Sequence, residues 1–302
     1  MKKTILFLVS LFLCTMPFTI ALAEEKIITN SGVEISLSDY NYLLQTYSED
    51  KILSFTQDDL NILLADDYVE MGTSEKIIKT TYGLDADGNI VKAFTEEVSE
   101  AEPLTDSYIT PRYYTSCGSN CQSYTTEYKK ISLTVRYGAS VSVTVIDIQN
   151  EWLKIPKIKK FDIIGFKVAQ GTEHLRINSS NTYISKQIYD GNTIDYDFDT
   201  SVNTVETSNG VGQVMNIVDS TSTSLKNTMV IYLLGSPLNT TINASYQHAS
   251  TTNITMSDAK NVTFGSSQSG YTILGGTFKY SNSIASKYDQ TQGVSVSFVS
   301  PV

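Results

Sequence analysis

Ile131-Ser132-Leu133-Thr134-Val135 and, a few residues on, Val141-Ser142-Val143-Thr144-Val145-Ile146-Asp147-Ile148 place apolar and polar side chains at alternate positions almost without exception. A period of two is the pattern of a strand with one face buried and the other wet. Ile194-Asp195-Tyr196-Asp197-Phe198-Asp199 repeats it, and further strands are expected around 161–168, 182–188, 212–218, 228–234, 241–246, 271–278 and 294–298. Many short strands punctuated by Gly, Asn and Ser describe a mainly β chain, an antiparallel β-sandwich or jelly roll. No repeat of fixed period is present, which argues against a solenoid or propeller. The run Thr228-Met229-Val230-Ile231-Tyr232-Leu233-Leu234 is nearly all apolar and reads as a core strand buried on both faces.

Upstream of the strands the period changes. Tyr40, Leu43, Leu44 and Tyr47 fall three and four apart, and Ser36 or Ser38 can cap the helix that they imply. A second start lies at Ser48-Glu49-Asp50, and a third at Thr56-Gln57-Asp58-Asp59, whose acids suit a helix N-terminus. Then Ile77-Ile78-Lys79-Thr80-Thr81-Tyr82 and Ile90-Val91-Lys92-Ala93-Phe94 flank Asp85-Ala86-Asp87-Gly88-Asn89, the signature of a β-hairpin. The turn also resembles the opening of a calcium loop, but Ile90 stands where that loop needs Gly. The segment 97–111, acidic and carrying Pro103 and Pro111, reads as a linker. The expected organisation is a signal peptide over 1–23, a small helical module over 24–72, a hairpin and acidic linker over 73–111, and a β-sandwich domain over 112–302.

The signal peptide rests on the basic start Met1-Lys2-Lys3, the apolar run that follows, and Ala21-Leu22-Ala23, the small-x-small pattern of a cleavage site. Cleavage there removes two lysines and no acid. Lys+Arg fall from 22 to 20 against 32 Asp+Glu, and the net charge moves from -10 to −12. That sign opposes binding to a nucleic acid backbone. Only 18% of the residues are charged, so the polarity comes from Ser and Thr, roughly a quarter of the chain and about a third after Thr200. No later segment has the run of ~18 apolar residues that a spanning helix needs. The expected location is extracellular, released or held at a cell surface.

Candidate chemistry is sparse. With Cys14 gone, Cys117 and Cys121 remain, and in an oxidising compartment they are expected to form a disulfide that shapes a short loop. The histidines, His174 and His248, are expected at ordinary surface or strand positions, and neither a Gly-x-Ser-x-Gly elbow nor a His-Glu-x-x-His helix occurs. Asp195, Asp197 and Asp199 would share one face of a strand, a weak calcium site if Asp190 or Asn192 assists and a solvated acidic face otherwise. No cofactor is expected. The candidate binding residues are Trp152, the only tryptophan, with Lys154 and Lys157 from the one basic cluster, and Tyr113 and Tyr114 beside the cysteines. An aromatic among lysines suits an anionic surface, whereas the structural alternative has Trp152 and Phe161 anchoring a loop.

Two passages carry a resemblance: Gly32-Val33 through Tyr40 with Thr56-Gln57-Asp58-Asp59, and Trp152 through Gly165, including Pro156 and Phe161-Asp162-Ile163-Ile164-Gly165. Both resemble segments of uncharacterised secreted proteins of low-GC Gram-positive bacteria, for which no activity is established. The functional expectation is therefore a secreted, non-enzymatic β-sandwich protein that binds or coats an extracellular partner: a glycan, a wall polymer or a protein. A membrane-active protein of the β-pore-forming type is the alternative, suggested by the Ser/Thr-rich stretch 201–255. An extracellular hydrolase is the third.

Overall fold

The computed structural model describes residues 26–84, 90–98, 125–169, 176–177, 182–207, 210–218, 221–235, 240–261, 271–272, 279–280, 284, 286–291 and 293–299. The chain divides into two units, Met1–Thr56 and Gln57–Val302. In the first, strands β1 (Lys26–Ile28) and β2 (Glu34–Ser36) form a hairpin followed by helices α1 (Leu37–Leu43) and α2 (Glu49–Leu53). Ser36 caps α1 by accepting the Asp39 N–H at 3.1 Å. Ile35, Leu43, Ile52 and Phe55 make its small core, with the Tyr47 ring set edge-on to Phe55 at 5.0 Å.

The second unit opens with the third expected helix, α3 (Gln57–Leu63), which has Asp58 and Asp59 in its first turn. The strands that follow are β3 (Tyr68–Leu84), β4 (Ile90–Val98), β5 (Thr125–Gly138), β6 (Val143–Lys154), β7 (Phe161–Val168), β8 (Arg176–Ile177), β9 (Ile184–Tyr189), β10 (Asn192–Asp195), β11 (Thr204–Thr207), β12 (Gly210–Asn216), β13 (Leu225–Leu234) and β14 (Thr240–Gln247). After helix α4 (Met256–Lys260) come the short pair β15 (Tyr271–Thr272) and β16 (Lys279–Tyr280), and finally β17 (Val294–Phe298).

Two antiparallel sheets hold most of these strands. The larger runs β10-β9-β13-β6-β5-β3-β4, with β8 also pairing β13, and the smaller runs β11-β12-β7-β14-β17. The fold is mainly β and antiparallel, as the alternation predicts. One hydrophobic cluster takes Ile131, Leu133, Val135, Ile146, Ile148, Met229, Ile231 and Leu233 from the large sheet. From the small sheet it takes Ile164, Phe166, Val168, Ile242, Ala244, Val294 and Val296, so the two layers share one core. Burying a side chain of this size stabilises the fold by about 1.5–3 kcal/mol each.

Three features depart from the sequence reading. The expected hairpin of the Ile77 and Ile90 segments is present but is not separate from the sandwich: β3 starts at Tyr68 and pairs with β5 through Tyr82, which builds β3 and β4 into the large sheet. Its turn, and the rest of the expected acidic linker from residue 99, lie outside the described residues. Strand β10 ends at Asp195, so Asp197 and Asp199 do not continue one strand face. Strand β13 is buried on one face only, because alternate residues from Lys226 to Tyr232 are partly exposed on the outer face. There α3 covers one end, with Ile62 packed on Val143, Val145, Val230 and Tyr232.

Two glycines carry local demands. Asp190 (φ 46°) and Gly191 (φ 81°) form the two-residue turn joining β9 to β10, where positive φ at both positions matches the twist of the strands. At Gly293 a Cβ would sit 2.0 Å from the Ala244 carbonyl oxygen, so only glycine permits β17 to approach β14 at this point.

Candidate functional site

The inward faces of the two sheets are apolar along most of their length and become charged at one end. On β5 the inward positions run Val135, Leu133, Ile131, and then Lys129 and Glu127. On β14 they run Ile242, Ala244, Tyr246, and then His248 just past the strand. On β7 they run Val168, Phe166, Ile164 and finally Asp162. The same alternation that builds the core therefore carries ionisable groups into it.

These groups form one hydrogen-bonded network between the sheets. His248 Nδ1 faces both Asp162 oxygens at 3.0 and 2.8 Å, and Asp162 also accepts the Ala249 N–H at 2.9 Å. The Tyr246 hydroxyl donates to Asp162 at 2.5 Å and accepts from the Asn227 amide at 2.8 Å, which ties β14 and β7 to β13. Gln187 on β9 extends the chain by donating to Asn227 at 3.2 Å. Beside it, Lys129 Nζ pairs with Asp289 at 2.5 Å and donates to the Tyr246 carbonyl at 3.1 Å. Asp289 in turn accepts the His248 N–H at 3.1 Å, and Lys92 donates to the Asp289 carbonyl at 3.0 Å. Glu127 accepts the Lys157 N–H at 2.8 Å through Oε1 and turns Oε2 toward His248 Nε2 at 3.5 Å.

Every ion in this set apart from Lys92 is at most 2% exposed. Taking charges out of water costs several kcal/mol per ion, which pairing and hydrogen bonding must offset. Burial pushes the Glu127 carboxyl up, opposed by His248 and the Lys157 N–H. Burial alone would lower His248, but Asp162, Glu127 and Asp289 together raise it above its ordinary value. Tyr82 and Tyr246 are held far above the ordinary phenol value, first by burial and then by the neighbouring carboxylates. Burial lowers Lys92, with Asp289 opposing.

A His beside a carboxylate is the start of a catalytic triad, but the other ring nitrogen here faces Glu127 rather than a hydroxyl. His248, Asp162 and Glu127 are all buried. Among the described residues no group of three or more His, Cys, Asp or Glu is placed to hold a metal.

Of the binding candidates read from sequence, Trp152, Lys154 and Lys157 lie among the described residues. Trp152 is 5% exposed and belongs to β6, where its ring meets His248 at 4.7 Å and Tyr246 at 6.1 Å, with Lys129 Nζ 5.9 Å away. It is part of the core and not a surface platform; it stands near the end of β6, where Ile155 of the loop leading to Phe161 packs on its cluster. Lys157 is exposed, while Lys154 is partly buried and bonds to the Thr126 hydroxyl at 3.2 Å. Tyr113, Tyr114, Cys117, Cys121 and His174 lie outside the described residues. His248 departs from the expectation of an ordinary position, being fully buried.

The acidic trio is dispersed. Asp195 faces Lys186 at 3.6 Å, and Asp199 turns its carboxylate onto Ser201 and the Val202 N–H. Asp190 is occupied by both the N–H and hydroxyl groups of Thr223 and Ser224. Among the described residues these carboxylates do not converge as cation ligands, and the hydrogen bonds hold the Asp190 and Asp199 carboxyls below the usual range.

Outside, the large sheet presents a polar surface. Register aligns Glu75, Ser132, Gln149, Thr228, Lys186 and Asp195 in one row across six strands, each partly or fully exposed. Thr73 and Thr134 share a hydroxyl hydrogen bond in the adjacent row. No helix among the described residues is long and apolar enough to cross a membrane.

No protein-family model matches the chain, and no curated protein matches it. A solved structure titled "Pore forming protein" shares 11% identity with it over 40% of this chain and 74% of its own, at a TM-score of 0.22. Superposition at that level assigns neither a family nor an activity to the chain.

Proposed function

We propose that this chain is a secreted, non-enzymatic β-sandwich protein that binds a polar extracellular partner, a glycan or wall polymer, through the outer face of its large sheet. The row from Glu75 to Asp195 carries this reading. It offers carboxylate, hydroxyl, amide and ammonium groups at the ~4.8 Å spacing of adjacent strands, suited to an extended polyhydroxylated chain. The burial of the ionisable groups that could do chemistry supports binding over catalysis. Pull-down on cell-wall material and a glycan array test it directly. Gln149→Ala combined with Thr228→Ala should weaken binding at least tenfold and leave the fold intact. Absence of binding to every wall fraction and glycan overturns the proposal, and dye release from liposomes would favour the membrane-active alternative.

A further inference from the structure

The contact between Glu127 and His248 needs a proton that an ordinary charge count at neutral pH does not supply. His248 Nδ1 lies 2.8 and 3.0 Å from the two oxygens of Asp162, so Nδ1 must carry a hydrogen. In a neutral ring the other nitrogen, Nε2, is then a bare lone pair. It faces Glu127 Oε2 at 3.5 Å, and neither atom has a hydrogen-bond partner elsewhere. Two lone pairs turned toward each other in a fully buried site repel. A proton on either atom converts the repulsion into an ion pair or a neutral hydrogen bond.

The surroundings favour that proton. Facing His248 are Asp162 from β7, Glu127 from β5 and Asp289 from the segment before β17, which pairs with Lys129 of β5, while the Trp152 ring of β6 meets it edge-on and Tyr246 precedes it on β14. The Tyr82 hydroxyl on β3 also lies against Glu127, whose charge helps to raise it, and Lys92 on β4 bonds the Asp289 carbonyl. Glu127, Asp162 and Asp289 thus confront Lys129 and Lys92, and a protonated His248 brings the six groups to neutrality.

We propose that one proton shared by His248 and Glu127 is a structural ligand of the interface between the two sheets, taken up on folding and released as the pH rises, so that the sandwich is clamped in mild acid and loosened in alkali. The proposal stands apart from the reading of the outer face. Both groups hold a proton more tightly folded than unfolded. Their contribution to stability is therefore full below the ordinary values of 4.5 and 6.5 and is lost as pH rises through the folded values. At its steepest, one proton changes the unfolding equilibrium constant tenfold per pH unit.

Glu127→Gln is the discriminating variant. Its oxygen can keep the Lys157 N–H while its amide donates to Nε2, which removes the need for the extra proton. Urea unfolding of the full chain from pH 5 to pH 9 should show the wild type weakening with pH along a slope that the variant lacks. A variant profile parallel to the wild type overturns the proposal. A second measurement needs no variant: with only His174 and His248 in the chain, histidine-labelled protein gives a two-residue nitrogen NMR spectrum. At pH 6, His248 should be protonated on both nitrogens, or neutral beside a protonated Glu127 in the carboxyl carbon spectrum. A neutral His248 beside an ionised Glu127 overturns the proposal.

Discussion

The two ends of the layer between the sheets share one backbone geometry and opposite chemistry. At one end Leu133, Ile148, Ile231, Phe166 and Ile242 interdigitate as in any sandwich core. At the other, the same in-phase positions hold Glu127, Lys129, Asp162, Tyr246 and His248. The apolar end stabilises by removing surface from water, a non-directional effect that tolerates swaps conserving volume. The charged end gains little net free energy, because desolvation offsets attraction. It does demand one arrangement: His248 reaches Asp162 and Glu127 together only when β14, β7 and β5 are in register. The contrast separates two duties within one core, bulk stability and specification of which strands face each other.

The sharpest way to break this comparison is to remove one partner of the buried ion pair. Lys129→Met leaves Asp289 unpaired at 1% exposure and should cost about 3–5 kcal/mol in urea unfolding at pH 7. The loss should shrink at pH 5, where protonated His248, which Asp289 helps to raise, faces the stranded carboxylate. Phe166→Ala, at the apolar end, should cost a similar ~3–5 kcal/mol by transfer and cavity terms, with no dependence on pH over the same range. Equal pH dependence in the two variants would erase the distinction between the ends. Ile148→Val tests the tolerance of the apolar end and should cost only about 0.5–1.5 kcal/mol. Asp195→Ala breaks an exposed pair with Lys186 and should shift stability by less than about 0.5 kcal/mol, readable as a change in Tm near the limit of detection.

Much of this was legible along the chain. Alternation located most strands, Ser36 and Asp58-Asp59 marked helix starts, and the Ile77 and Ile90 segments pair as a hairpin. The network was half legible. Lys129 and Glu127 continue the phase of Val135, Leu133 and Ile131, and His248 continues that of Ile242, Ala244 and Tyr246. Extending the period past the last apolar residue would have flagged them as inward-facing. Trp152 misled because a tryptophan next to lysines has the same local pattern on a surface and at a strand end. What distinguishes the two is coverage by Tyr246 and His248, residues that are nearly a hundred positions away.

The sequence by itself determined most strand faces, the polar outer surface and the change from helical periodicity before Tyr68 to strand periodicity by Ile77. Each is a property of the pleat or the helix, set within a few residues by where side chains must point. Only the tertiary structure decided that β13 lies between β6 and β9, that β14 joins β7, and hence that a lysine, a histidine and three carboxylates meet in the dark. Strand pairing is a long-range choice among many sequences with the same alternation. The balance between desolvation and pairing exists only once the partners are brought within ångströms of one another.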